Sequence, residues 1–385
     1  MKTSFFTSID QLDDSFLEKI NPNASVYFSR HLLYGFETSN TAVDVRYVCI
    51  SKNNNPQALA LVQIVDLSVD VILKNIKVSE RFRQILNLFF CKDHIKIMFC
   101  GNVFLSGEHG ISFAPSCDRK LIAAEIGTAL DEIAKSVRPL HAIFIKDFQT
   151  SALEYTSSFE HFGFTNIKVE PNMIITLKQD WTTFDEYKAA LKSKYRVKAN
   201  KADAKSELLE LRAFSQNDIE IYKDELQNLY QNTIDNANFN AQVLDLNTYI
   251  KLKNTYKDDF IVQGYFLNDK IVGFLSALVN KKDLDAHFIG LEYDLNKTYA
   301  IYPRILNDYI RLGLEKNVES INLGRTASEI KTTIGAEPLE LSCYIKHKNK
   351  FINRLIQPFF RRIQIKSFKQ HSPFKLCALF CIFEP

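Results

Sequence analysis

The chain has 385 residues, 46% of them hydrophobic and 24% charged, with 12 glycines and 10 prolines. That balance fits a globular protein with more than one core and excludes collagen-like, low-complexity and membrane-embedded chains. Net charge is only +3, yet nine Lys/Arg against one Glu from Lys346 onward give the tail +8 and leave the preceding residues at −5, which points to an anionic partner for the tail, membrane surface or nucleic acid.

In chain order, the first 40 residues are weakly patterned, with a helix expected at 12–20. The start, MKTSFFTSIDQLDDSF, lacks the apolar core of a signal peptide. Cys49, Cys91, Cys100, Cys117, Cys343, Cys377 and Cys381 form neither a CxxC pair nor a Cys/His metal spacing. They are expected as buried free thiols in a reducing compartment, with no metal site, and the protein is placed in the cytoplasm. Strands at 45–51 and 57–67 around KNNNP read as a hairpin. A strand at 95–104 leads into Gly107-Glu108-His109-Gly110, a weak glycine loop. A helix follows at 119–136, where Leu121, Ile122, Ile126, Leu130 and Ile133 have helical spacing. Then come a strand at 142–148, a helix at 151–162 and a strand at 172–177.

Residues 181–205 differ in kind. Thr183 and Glu186 have capping-box spacing, and Phe184, Tyr187, Leu191 and Tyr195 make one apolar stripe. Lys194, Arg196, Lys198 and Lys201 belong to its basic face. The segment is either a linker helix with a solvated face or a contact for phosphate or nucleic acid. The second half then repeats the order of the first: strand 208–213, helices 219–234 and 246–256, hairpin 260–267 and 270–279 around Asn268-Asp269, strand 284–293, helix 302–315 with Pro303 in its first turn, strand 320–323 and strand 340–346.

The densest stretch is 322–338, NLGRTASEIKTTIGAEP. It reads as a strand end, a tight turn and a two-turn helix stopped by Gly335, with Thr326 and Glu329 as a capping box. Arg325 at that helix start, with the free N–H groups and the dipole, makes an anion site. In the tail, Phe351, Leu355, Phe359 and Ile363 lie near helical spacing, interrupted by Pro358 and flanked by Arg354, Arg361 and Arg362. This is either a surface anchor on anionic lipid or a helix packed back on the protein.

The order hairpin, strand, loop, helix, strand, short helix ending in Gly, strand, met twice, resembles the GCN5-related N-acetyltransferase (GNAT) fold in tandem. FEHFGF at 159–164 is similar to the family's Tyr-x-x-x-Gly-Phe, whose tyrosine is often the general acid; Phe159 cannot donate a proton. The second half resembles BioF2-like and Fem-like transferase domains through residues 264–275, 286–292, 299–309 and 323–338, and the linker KSKYRVKANKADAK resembles the segment before the second Fem domain. The resemblance implies an α/β (α+β) protein of two GNAT-like domains, each a mixed, mostly antiparallel sheet flanked by helices: a degenerate domain at 1–180, a basic linker at 181–205, an acyltransferase domain at 206–346 and a basic amphipathic tail at 347–385. It implies N-acyl transfer from acyl-CoA to an amine acceptor such as a cell-envelope, lipid or polysaccharide precursor, with no permanently bound cofactor. Two alternatives stay open: a non-catalytic module that binds an anionic envelope precursor or the inner face of the membrane, and a Fem-like transferase that takes its group from aminoacyl-tRNA.

Acylating an amine first requires a neutral amine, and holding an alkylammonium deprotonated at pH 7 costs about 4.6 kcal/mol. A nearby carboxylate or imidazole lowers that cost. On strand 284–293, His287 and Glu292 fall on opposite faces by parity, His287 with Ile289 and Leu291. They are candidate catalytic groups, as are Tyr302 at the next helix start and Lys331, which stands where the family has its tyrosine. Gly290 is where a ligand backbone could approach closely. The loop at 294–299 lacks the glycines of the family's pyrophosphate motif, which leaves Lys297 to take a phosphate. The expected donor contacts are therefore Gly290, Lys297, Asn322, Gly324, Arg325 and Thr326, and Lys194, Arg196, Lys198 and Lys201 are the expected anion contacts.

Overall fold

The computed structural model describes residues 1–68, 94–236, 242–362, 365 and 367–375. The first half runs β1 (Lys2–Phe6), α1 (Asp14–Ile20), α2 (Arg30–Ser39), β2 (Asp44–Lys52), β3 (Asn55–Ser68), β4 (His94–Cys100), β5 (Ile111–Phe113), α3 (Arg119–Ser136), β6 (Ala142–Gln149), α4 (Leu153–Thr156) and β7 (Thr165–Thr176). Helices α5 (Phe184–Ala190) and α6 (Ser193–Lys205) join it to the second. That half runs β8 (Glu210–Ala213), α7 (Gln216–Ile221), α8 (Lys223–Asn236), α9 (Asn247–Tyr256), β9 (Phe260–Leu267), β10 (Lys270–Asn280), β11 (Asp283–Leu291), α10 (Tyr293–Tyr299), α11 (Ile301–Glu315), β12 (Ser320–Asn322), α12 (Ser328–Thr332) and β13 (Glu337–His347), with α13 (Lys350–Phe360) following.

Local chemistry explains several of these bounds. Asn53-Asn54 and Asn268-Asp269 all take positive φ, the primed turn that Asn and Asp tolerate, and so close the two hairpins. Asp118 caps α3 by accepting the Leu121 N–H, and Thr183 and Glu186 form the expected capping box on α5.

The described strands form one 13-stranded sheet in the order β1-β2-β3-β4-β6-β13-β7-β12-β11-β10-β9-β8, with β5 added beside β3. The order is palindromic. Only β4/β6 and β11/β12 are parallel, one pair in each half; all other pairs are antiparallel. The last strand of each half lies next to the fifth main strand of the other: β13 beside β6, and β7 beside β12.

One face of the sheet carries a core shared by both halves, with Phe36, Tyr47, Leu61 and Phe104 joined to Leu229, Tyr249, Phe260 and Phe274. The other face carries two cores: Ile126, Leu130, Ile145 and Phe159 in the first half, and Tyr187, Tyr265, Ile305 and Tyr309 in the second. Phe159 is fully buried against the rings of Phe148, Phe164 and Tyr344.

Several elements depart from their expected form. Residues 151–162 are not one helix but α4 between two 3-10 turns, and the helix expected at 219–234 is interrupted at Tyr222. β1, β5 and α2 had no clear periodicity in sequence. Cys49, Cys100 and Cys343 are buried free thiols and Cys117 is half-buried; Cys91, Cys377 and Cys381 lie outside the described residues. Among the described residues no helix is long and apolar enough to cross a membrane, and no group of three or more His, Cys, Asp or Glu could hold a metal ion.

Candidate functional site

Each parallel pair opens into a wedge where its strands part. In the first half, residues 97–100 of β4 pair with 142–145 of β6. Beyond them the wedge is closed. Lys146 Nζ donates to the carbonyls of Asn102 (2.7 Å) and Leu105 (3.0 Å), the Gly107 N–H donates to Asp147 Oδ2 (3.2 Å), and the Gln149 N–H donates to Glu108 Oε1 (2.8 Å). The 101–110 loop is thus strapped over the strand ends. Lys146 and Asp147 together oppose Cys343 in a bulge, and Asp147 sits at φ +65.

In the second half, β11 pairs with β12 only over residues 283–285. Past Asp285 that edge of β11 has no ladder to β12, and residues 285–289 are only partly buried as whole residues, although both ring nitrogens of His287 are buried. A bulge reshapes this edge. Leu275 pairs with Ile289 but Ala277 pairs with Ala286, so Ser276 alone faces both His287 and Phe288. The Ser276 hydroxyl donates to the Phe288 carbonyl (2.7 Å) and accepts from its N–H (3.0 Å). The bulge breaks the parity that grouped His287 with Ile289 and Leu291. Ile289 and Leu291 belong to the second-half core, whereas His287 turns to the shared face.

There the His287 ring lies 5.9 Å from Tyr249, 5.9 Å from Phe260 and 6.2 Å from Phe36, and neither ring nitrogen has a hydrogen-bond partner among the described residues. Burial pushes the imidazole down to about 3, with His109 adding to the effect, so His287 is neutral at physiological pH. Asp285 points to the same side. It accepts from Tyr27 Oη (2.5 Å) and Asn322 Nδ2 (2.9 Å). Burial raises its pKa, while those two hydrogen bonds pull it down. The Tyr27 ring stacks on His109 at 3.7 Å. Burial lowers His109 to about 4, against an upward pull from Asp147. Two first-half residues, Tyr27 and His109, therefore complete a polar cluster at the second-half wedge.

The 322–327 turn is not the free anion site expected of it. Ala327, not Thr326, is the N-cap of α12, no side chain caps that helix, and the helix has five residues. Gly324, Thr326 and Ala327 all take positive φ; for β-branched Thr326 this is a strained conformation. The Arg325 guanidinium is drawn inward through Nη2 to Asp147, which is fully buried, and its buried Nε has no partner among the described residues. Burial would raise Asp147, but Lys146 and Arg325 outweigh it and hold the carboxyl below its usual range. Asn322 holds Asp285 and accepts the Gly324 N–H (3.0 Å), so it too is occupied internally. Lys331 is neither exposed nor free. It is 5% exposed and its Nζ donates to the carbonyls of Leu323 (2.7 Å), Gly324 (3.3 Å) and Arg325 (2.7 Å). Burial brings it down to about 7, against an upward pull from Glu170. It clamps the turn. Gly335 does take the expected left-handed conformation past the helix end, at φ +93.

The other expected residues are dispersed. A Cβ on Gly290 would lie 2.6 Å from the Leu229 backbone of α8, so the close approach there is internal packing and not a ligand. Residues 294–299 are helical rather than a loop, and Lys297 is exposed, its carbonyl taking a bond from Lys205 Nζ (2.9 Å). Glu292 is half-buried at the N-cap of α10, five residues and roughly 15 Å along the strand from His287, too far for both to serve one atom. Tyr302 is half-buried in the first turn of α11, and burial raises its pKa, which keeps its hydroxyl a donor. On α6, Lys194, Lys198 and Lys201 are exposed and Arg196 is half-exposed. The inner side of that helix is fastened to α11 by Asn307 Nδ2 donating to the Ala199 carbonyl (3.0 Å) and by the Arg311–Asp203 pair (2.5 Å). A surface hollow lined by Lys178, Trp181, Lys282 and Glu319 lies at the other end of β11 and β12, away from this chemistry.

Sequence reading missed Tyr27, His109 and Asp285. The carboxyl of Asp285, between Leu284 and Ala286 in a central strand, was the one available signal. The glycine loop was noticed for its glycines and not for His109, and nothing near Tyr27 marked it.

No family model and no curated protein matches the chain. Solved structures do resemble it. The crystal structure of FemX aligns over 93% of this chain and 100% of its own, with a TM-score of 0.54 at 11% identity. A tandem GNAT protein from the clavulanic acid biosynthesis pathway, solved without AcCoA, aligns over 90% of this chain and 99% of its own, with a TM-score of 0.56 at 8% identity. At such identities the likeness is one of fold: the chain has the tandem GNAT, Fem-like fold.

Proposed function

We propose that the protein is an N-acyltransferase that works at its second wedge. The observation that carries this reading is the partly buried edge of β11, unpaired with β12 past Asp285, running beside Asp285 and His287. An extended acyl donor can add to such an edge as a further strand, with main-chain hydrogen bonds fixing its reactive carbonyl. Asp285 and His287 are two residues apart on one face, roughly 7 Å between Cα atoms. The buried carboxyl, raised towards the working pH, takes the proton from the acceptor ammonium. The neutral imidazole, with both nitrogens unpartnered, orients the amine. The amine nitrogen then bonds to the thioester carbon, the C–S bond breaks, and the thiolate leaves with a proton. Acyl-CoA is the donor class this chemistry suits, with a small amine as acceptor.

Thiol release from acetyl-CoA with a panel of primary amines tests this. We expect amine-dependent release that falls about 100-fold or more in Asp285→Asn and His287→Phe, the loss expected for proton-handling and orienting groups. Absence of both turnover and acyl-CoA binding by calorimetry would overturn the reading. A donor borne on tRNA is the second reading, favoured by the exposed lysines of α6; it requires binding of aminoacyl-tRNA that weakens with salt and with Lys194→Glu, Lys198→Glu and Lys201→Glu.

A further inference from the structure

Helix α13 carries apolar side chains on its outer as well as its inner side. Phe351, Leu355 and Phe359, spaced by four, form one stripe, and they are 72%, 47% and 41% exposed. A surface helix ordinarily turns such a stripe inward. Here the inward side already holds the half-buried Ile352, Ile356 and Phe360, and polar residues fasten it. Asn353, 8% exposed, donates to the Gly163 carbonyl (2.8 Å) and accepts the His347 N–H (2.9 Å), and Gln357 donates to the same carbonyl (3.3 Å). Asn349 caps the helix by accepting from the Phe351 and Ile352 N–H groups. These directional bonds fix which side faces out.

The helix is also held at its far end. By Ser367–Lys375 the chain is back on the protein body. Phe374 lies 5.2 Å from Trp181 and 6.0 Å from Tyr187, and a Cβ on Gly335 would strike its ring. The Lys192 N–H donates to the Pro373 carbonyl (2.8 Å) and the Lys375 N–H to the Ala190 carbonyl (3.0 Å). So part of the basic tail packs on the protein, while α13 presents an outward ridge.

We propose that α13 docks the protein on an anionic lipid surface. Charge complementarity selects this occupant. Lys350, Arg354, Arg361 and Arg362 are all exposed, and residues 350–362 contain no Asp or Glu. Phe351, Leu355 and Phe359 enter the acyl boundary, and the arginines keep their heads at the phosphate level. The proposal stands apart from the chemistry of the wedge.

Co-sedimentation of the full chain with two kinds of vesicle tests it: phosphatidylcholine alone, and an equal mixture of phosphatidylcholine and phosphatidylglycerol. The chain is expected to bind the mixed vesicles and leave the neutral ones. Arg354→Gln with Arg361→Gln should weaken binding about 25-fold, a factor of about five per basic residue. The triple variant Phe351→Ser, Leu355→Ser, Phe359→Ser should lose binding with an unchanged or higher melting temperature. Equal binding by wild type and triple variant would overturn the proposal. So would a wild-type dimer by light scattering that the triple variant turns monomeric, because the ridge would then be an interface between copies. A melting temperature lowered by roughly 5 °C or more in the triple variant would also overturn it, by showing that the protein's own residues cover the ridge.

Discussion

In the first half, Lys146 reaches across the parting strands and straps the 101–110 loop over them; in the second, Lys331 holds the 323–325 turn on its own side, and β11 keeps an open edge. Both lysines end their donors on backbone carbonyls. What differs is which loop they hold. The loop after β4 closes its own wedge, and it also delivers His109 to the wedge of the other half. One copy of the fold has become a wall of the other's site. A repeated architecture thus yields one open edge rather than two, and two of the five polar residues gathered beside it, Tyr27 and His109 against Asp285, His287 and Asn322, come from the other half.

Removing the two lysines in turn breaks this comparison most directly. Lys331→Met leaves the Leu323 and Arg325 carbonyls without the donor they have now, and should cost about 3 kcal/mol of stability, read from the urea midpoint at constant slope. A loss below roughly 1 kcal/mol would mean that the turn is held by other contacts. Lys146→Met should cost less, about 2 kcal/mol, since it frees two carbonyls nearer the surface. Because the strapped loop carries His109 to the second wedge, amine acylation should fall in part, by less than in Asp285→Asn. A loss as large as that of Asp285→Asn would move the proposed acylation site to the first half. The last test is of pH dependence. His109 and His287 are held neutral by burial, at about 4 and about 3, whereas in the unfolded chain both titrate near 6.5. Below pH 6.5 the unfolded state takes up protons that the native state refuses, so stability falls as pH falls from 6.5 towards 4. The slope reaches about 1.4 kcal/mol per pH unit for each histidine. Replacing His109 by Gln should lower the slope, with His287 and His347, also lowered by burial, supplying the remainder; an unchanged slope would place the titrating groups elsewhere.

Most elements were legible because their signals are local. Amphipathic α3, the Asn-rich hairpin turns and the Thr183–Glu186 box need only neighbouring residues to be recognised. The site was less legible, because its facts are either long-range or one residue deep. Parity placed His287 on the wrong face because a single inserted residue opposite Ser276 shifts the count. Arg325 looked free because its partner, Asp147, is 178 residues away in sequence. Lys331 looked like an exposed helix lysine because its helix is too short to show a buried side by periodicity. Gly290 did mark a close backbone approach, but sequence alone does not say whether a ligand or another part of the chain makes it.

The interchange of last strands bears on how the molecule is made. β6 gains its outer neighbour only when Glu337–His347 arrives, and β7 takes its place between strands that belong to the second half. While the chain is being synthesised, the first half therefore waits beside the ribosome with an unpaired strand edge until residues 337–347 have emerged. Its maturation is timed by translation of codons far downstream, and a transcript cut short after residue 180 yields a sheet with a sticky border rather than a smaller complete fold.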